Sequence, residues 1–172
     1  AVGVVSLRFF EREGSLAPGS TPAGRLHGAW LWLVTLIVAD EIAWAAAQYT
    51  PGDAWRSVPW GLVPALVLAA ACRLARGTAW PIGVHRRAYL TVAAAPLAAW
   101  MLVWSLVVGV ASDGDASPLP YVPLVNPVDL SLAFIAAALI AWIGALRRDG
   151  VDVDGQVPRP AVIGVAAGFV FL

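Results

Sequence analysis

Four long apolar stretches constrain the fold of this chain more than any other feature. They cover residues 28–49, 57–75, 88–111 and 127–146 and carry very few charges. A helix needs about 20 residues to cross the roughly 30 Å hydrocarbon core of a bilayer. Strands of a membrane barrel would instead alternate apolar and polar residues over about ten positions. These stretches are continuously apolar, so they predict transmembrane α-helices.

Composition supports a membrane location. Hydrophobic residues make up 60 % of the chain and charged residues 13 %, whereas soluble domains carry about 25 % charged residues. The apolar surplus is too large for a water-facing surface, so lipid is the expected surroundings. A net charge of zero argues against a nucleic-acid partner. The single cysteine, Cys72, excludes an intrachain disulfide.

We therefore predict an all-α, polytopic membrane protein with four complete transmembrane helices and two truncated ones. The truncated spans are residues 1–10 and 161–172, where apolar stretches meet the ends of the chain. Residues 1–172 are expected to be an internal fragment of one multi-span domain. The expected partners are the lipid bilayer and the remaining helices of the full-length chain, and nothing in the sequence indicates a protein partner.

The arginines predict the orientation in the membrane. The connections at residues 8–26, 76–87 and 147–160 each contain three arginines, whereas residues 50–56 contain one and residues 112–126 none. Connections rich in basic residues stay on the cytoplasmic side of a bilayer. The three arginine-rich connections are therefore expected to be cytoplasmic in a multi-pass protein of the cell inner (plasma) membrane.

Two adjacent acids lie inside the first span. Asp40 and Glu41 are about 18 Å from its start, at 1.5 Å per helical residue. Carboxyls at this depth are costly and rarely face lipid, so at least one is expected to be protonated or hydrogen-bonded. Gln48 and Ser105 complete the candidate intramembrane polar site. A functional site would be a proton or cation relay, or a polar substrate site between helices. The alternative is a structural polar contact that holds the helices in register.

Prolines and tryptophans predict details of helix packing. Pro64 and Pro96 lie inside spans, where each removes one backbone hydrogen bond, which neighbouring helices must compensate. Most aromatic side chains near span ends fit the headgroup level. Packing between helices is the alternative for four tryptophans, which are Trp44, Trp100, Trp104 and Trp142.

The connection before the fourth span is rich in proline. Asn126 is a good helix cap, Pro127 suits a first turn, and Asp129 complements the positive end of the helix dipole. Together with Tyr121, these side chains form a candidate outer-loop motif. One interpretation is a binding surface or re-entrant lid, and the other is a rigid clasp that caps the fourth helix. The acids Asp113 and Asp115 are expected to be solvated.

Motifs that carry chemistry are absent from the sequence. No phosphate-binding loop, zinc spacing or nucleophile elbow occurs. His27 and His85 are the only histidines, and both are expected at the membrane interface. We predict no metal and no cofactor, and enzymatic activity is the less favoured expectation.

Residues 118–134, PLPYVPLVNPVDLSLAF, resemble a stretch in bacterial predicted membrane proteins known as domain of unknown function 2339. The family is also similar in its first span, where tryptophans surround an acidic residue, as Trp32 and Trp44 surround Glu41 here. Val125 and Val128 depart mildly from the leucines usual in the family. The resemblance implies a long inner-membrane protein with many spans, and it supplies no reaction, substrate or catalytic residue.

Three functions remain open at this point. A structural or assembly protein of the cell envelope is preferred, because catalytic motifs are lacking. A transporter or channel component would use Asp40 or Glu41. A membrane-embedded transferase would act at the outer surface of the membrane, near the loop before the fourth span.

Overall fold

The computed structural model describes residues 21–120 and 122–150, which form four long helices without strands. These are α1 (Thr21–Tyr49), α2 (Asp53–Leu74), α3 (Arg86–Ala111) and α4 (Pro127–Arg148). All four are long and apolar enough to cross a membrane. The all-α fold and its four membrane-spanning helices are therefore confirmed.

Helix α2 lies at the centre of the bundle and packs against the other three helices. Its Leu68 is fully buried and belongs to one core cluster with Met101 of α3 and Ile135 of α4. Helix α1 packs against α2 and the beginning of α3. Half of the most apolar stretch of α2 is buried, compared with 17 % for α1. One side of α1 is consequently left outside the bundle.

The helices extend beyond the predicted spans, most clearly at the beginning of α1. Residues 21–26, which the hydropathy pattern places in a connection, are helical. Hydropathy detects only the part of a helix that fits the hydrocarbon core, whereas backbone hydrogen bonding continues into the headgroup region. The truncated spans predicted at residues 1–10 and 161–172 lie outside the described residues.

Indole N–H groups connect the helices to one another. Pro64 has no N–H, so the carbonyl of Trp60, four residues earlier, loses its usual helical donor. The side chain of Trp100 on α3 donates to this carbonyl at 2.8 Å. The prediction that a neighbouring helix compensates a proline is thus confirmed for Pro64. Four further indoles donate to carbonyls of another helix or loop, and these are Trp32, Trp55, Trp104 and Trp142.

Helix α3 contains a five-residue π-helical turn at Tyr89–Ala93. A π turn interrupts the regular series of helical hydrogen bonds. Two indoles donate to carbonyls in this turn: Trp142 to Leu90 and Trp32 to Ala93, each at 2.7 Å. The turn is therefore the point at which α1 and α4 are both hydrogen-bonded to α3.

Candidate functional site

The serine and threonine hydroxyls buried in the bundle are used for local hydrogen bonds. The hydroxyl of Thr35 donates to the carbonyl of Leu31, and that of Ser131 donates to Pro127. Ser105 donates to the carbonyl of Met101 at 2.7 Å. Each of these hydroxyls donates to a carbonyl four residues earlier in its own helix. The predicted site residue Ser105 is therefore a buried, locally bonded hydroxyl of α3.

The other members of the candidate polar site lie on the outer side of α1. Asp40, Glu41 and Gln48 are all exposed. Ala39 and Ala43, two positions before and after Glu41, are 0 % and 5 % exposed and face the bundle. Because successive helical residues are about 100° apart, Glu41 points away from both. The structure does not bring Ser105 together with these three side chains, since it is buried in the core and they are not.

Opposite charges mark the two ends of the bundle. At one end, Arg86 at the start of α3 forms an ion pair with Asp149, just after α4, at 3.0 Å. A Cβ atom at Gly24 would lie 3.1 Å from that of Ala88, so α1 also begins at this end. We call this the arginine end, and within the described residues it carries Arg25, Arg73, Arg76, Arg86, Arg87, Arg147 and Arg148.

The opposite end, which we call the acidic end, carries the loop between α3 and α4. This loop is bonded to the beginning of α2. The N–H of Ala54 donates to the carbonyl of Asp115 at 3.0 Å, and the indole of Trp55 donates to that of Ala116. The hydroxyl and N–H of Ser117 donate to the carboxylate of Asp115, and these bonds lower the pKa of Asp115 below its usual value. Asp115 is thus exposed but organises the turn.

Asn126 caps α4 as predicted. Its side-chain oxygen accepts hydrogen bonds from the N–H groups of Val128 at 2.7 Å and Asp129 at 3.0 Å. Asp129 in turn accepts from the N–H of Leu124, whose φ of 67° lies in the left-handed region. These contacts support the interpretation of the loop as a rigid clasp. The third residue of the predicted motif, Tyr121, lies outside the described residues.

Two histidines form a buried cluster at the arginine end. His27 on α1 and His85 before α3 are only 2 % and 5 % exposed, and their rings stack with centroids 4.7 Å apart. The Nδ1 atom of His27 lies 2.9 Å from the hydroxyl of Tyr89, and the ring of Trp80 packs edge-on against His27. Hydropathy alone predicted interfacial positions and missed this burial. No local sequence pattern predicts the burial of His27, because it depends on His85 and Tyr89, which are distant in the sequence.

A narrow apolar crevice lies between α1, α2 and α3. Its volume is about 190 Å³, and it is open on one side. Prolines from two helices, Pro64 and Pro96, contribute to its wall, and these lack the long side chains that would close the gap. The remaining lining residues are Trp32, Leu36, Leu97 and Trp100.

The described residues contain no group of three His, Cys, Asp or Glu side chains placed to hold a metal ion. The buried hydroxyls of Thr35, Ser105 and Ser131 bond locally, and the carboxyls of Asp40 and Glu41 are exposed outside the bundle.

Comparison with known proteins agrees with this architecture. The family model described as predicted membrane protein, domain of unknown function 2339, matches residues 1–172. No curated protein and no solved structure matches the chain. The family match covers the whole sequence, and the structure shows membrane-spanning helices of the kind that its description implies. The chain therefore belongs to the domain of unknown function 2339 family of membrane proteins.

Proposed function

We propose that this protein is a structural module of the membrane, whose α1 helix binds a further transmembrane helix of the same polypeptide. The observation that carries this proposal is the exposure of Glu41 on α1, on the side opposite the bundle. The function is one of assembly and involves no turnover of a substrate.

Energetics support a protein partner on this face. A charged residue such as Asp at the centre of a membrane helix costs about 2.5–3.5 kcal/mol on insertion scales, and such residues almost always face protein or water. Asp40 and Glu41 are both exposed in the four-helix bundle. A neighbouring helix with hydrogen-bond donors at the same depth would offset part of this cost. We call the outward side of α1, formed by Ile37, Glu41 and Trp44, the outer face.

Transport is the alternative that uses the same acids. The donors of Thr35, Ser105 and Ser131 are bonded within their own helices. A polar path through the described core would need groups that are available to a passing ion. A path that used Asp40 or Glu41 would run outside the four-helix bundle, because both acids are exposed there. The packing of the helix that covers them is therefore the first question.

Spin labels can test whether protein covers the outer face in the full-length protein. After Cys72→Ala, single cysteines at Ile37 and Trp44 would be labelled and the protein placed in bilayers. We expect the oxygen accessibility of these labels, measured by electron paramagnetic resonance, to be less than half that of lipid-facing controls. Val107 of α3 and Ile140 of α4 are suitable controls, being apolar and 59 % and 71 % exposed.

Equal oxygen accessibility at the outer face and at the controls would contradict the proposal, because it would place Glu41 in lipid. Dipolar broadening between labels on two protein molecules would identify a second copy as the partner, and this would also overturn the assignment to the same polypeptide. Low accessibility without such broadening is the supporting result.

We further propose that the protein spans a bacterial inner membrane and that its arginine end faces the cytoplasm. The clustering of seven described arginines at one end, against Arg56 at the other, supports this orientation. We expect a cysteine at Gly77 to react with a membrane-impermeant maleimide only after cells are opened. A cysteine at Asp113, at the acidic end, should react in intact cells. Labelling of both positions in intact cells would contradict the orientation.

A further inference from the structure

We propose that the crevice between α1, α2 and α3 binds one hydrocarbon chain of an anionic phospholipid, whose phosphate group contacts Arg25. This proposal does not depend on the assembly function, because it concerns a different side of α1. It rests on the chemistry of the crevice wall and on the position of Arg25 along α1.

The crevice presents an almost wholly apolar surface. Its two indole N–H groups are already used, because Trp32 donates to the carbonyl of Ala93 and Trp100 donates to that of Trp60. A polar occupant would therefore lose its hydrogen bonds to water without replacing them, at a cost of about 1–3 kcal/mol for each group. A hydrocarbon chain suffers no such loss and gains contacts with the wall.

The wall is held open by groups that cannot collapse into the gap. Pro64 and Pro96 lie on two different helices, and the ring of Trp100 is fixed by its hydrogen bond to Trp60. The crevice is only partly enclosed, so a molecule can enter it from the surrounding bilayer. In a bilayer, lipid chains are the most abundant molecules able to fill it.

Arg25 occupies the position expected for a phosphate contact. It is exposed, and Trp32 and Leu36 follow it by seven and eleven residues, so all three lie along one side of α1. The rise from Arg25 to Trp32 is about 10 Å. The headgroup layer is roughly 5–8 Å thick on each side of the hydrocarbon. A lipid chain beside Trp32 therefore has its phosphate near the level of Arg25.

Charge favours an anionic lipid over a neutral one. The arginine end carries seven arginines and one acid, Asp149, among the described residues. That acid is bonded to Arg86, so it does not neutralise Arg25 at the beginning of α1. Guanidinium groups bind phosphate oxygens in a bidentate manner. Each basic residue near an anionic surface adds about 1 kcal/mol of attraction.

Native mass spectrometry of the purified full-length protein can test this site. Phosphatidylglycerol and phosphatidylcholine with identical chains would be titrated separately. We expect at least one phosphatidylglycerol to bind about tenfold more tightly than phosphatidylcholine. Arg25→Gln should reduce phosphatidylglycerol binding to the phosphatidylcholine level. Leu36→Trp, which fills the crevice, should weaken binding of both lipids at this site at least fivefold.

Two matched variants serve as controls. Arg56→Gln removes an exposed arginine from the acidic end, and Val107→Trp adds a large ring to an exposed position on α3; both should bind phosphatidylglycerol as the wild type does. Equal affinity of the wild type for the two lipids would overturn the proposal. The proposal would also be overturned if phosphatidylglycerol binding were unchanged by Leu36→Trp. The same holds if Arg25→Gln and Arg56→Gln reduced phosphatidylglycerol binding equally. Thermal unfolding of each variant would confirm that the bundle is intact.

Discussion

Replacing Gly61 with alanine is expected to destabilise the bundle by about 1–3 kcal/mol, the usual cost of overpacking a core. A Cβ atom at Gly61 would lie 2.5–2.7 Å from three ring atoms of Trp104. The ring cannot move away easily, because Trp104 is 8 % exposed and its indole donates to the carbonyl of Ser57 at 3.2 Å. The central packing of α2 on α3 would have to open. Unfolding in mixed detergent micelles, followed by circular dichroism, measures the change.

Gly144→Ala is the matched control for this substitution. Gly144 also lies inside a helix, but a Cβ atom there would meet nothing within 4 Å. Alanine has a higher helix propensity than glycine by about 1 kcal/mol. We therefore expect Gly144→Ala to be neutral or stabilising, which separates a steric effect from a general response of membrane helices to alanine. Similar free energies of unfolding for the two variants would refute the close approach of Gly61 and Trp104.

Trp100→Phe is expected to cost about 2–3 kcal/mol, because it leaves the carbonyl of Trp60 without a donor inside the membrane. Phenylalanine keeps an aromatic ring beside the indole of Trp60, whose centroid lies 6.2 Å from that of Trp100. Much of the loss should thus come from the hydrogen bond of 2.8 Å. The free energy of unfolding in mixed micelles again provides the measurement.

A double-mutant cycle with Pro64→Ala shows whether the lost hydrogen bond causes the destabilisation by Trp100→Phe. Alanine at position 64 supplies the N–H that proline lacks, so the carbonyl of Trp60 regains an ordinary helical partner. We expect Trp100→Phe to cost about 1 kcal/mol less in this background. Trp104→Phe is the comparison. The carbonyl of Ser57 that Trp104 contacts can also accept from the backbone N–H of Gly61, four residues later, so it does not lack a helical donor. The destabilisation by Trp104→Phe should be the same with proline or alanine at position 64. If the destabilisation by Trp100→Phe were also the same in both backgrounds, Trp100 would not be compensating for the N–H that Pro64 lacks.

The polar positions show how far the candidate site could be predicted. Asn126 as the cap of α4 follows from local sequence, because a cap bonds to backbone groups only two or three residues away. The position of Glu41 outside the bundle does not follow from sequence. Hydropathy gives the depth of a residue along a helix, but the rotation of the helix about its own axis depends on packing. The burial of His27 was missed for the same reason, since it depends on contacts with His85 and Tyr89.

The number and order of the four helices in the described part of the chain were determined by the amino-acid sequence alone. Hydrocarbon requires every backbone group in it to be hydrogen-bonded, so a long apolar stretch has almost no alternative to a helix. Which helix lies at the centre was decided only by the tertiary structure. So was the choice of Trp100 as the partner of the Trp60 carbonyl. Lipid chains are as apolar as leucine, and the fit of individual side chains therefore selects the arrangement of the helices.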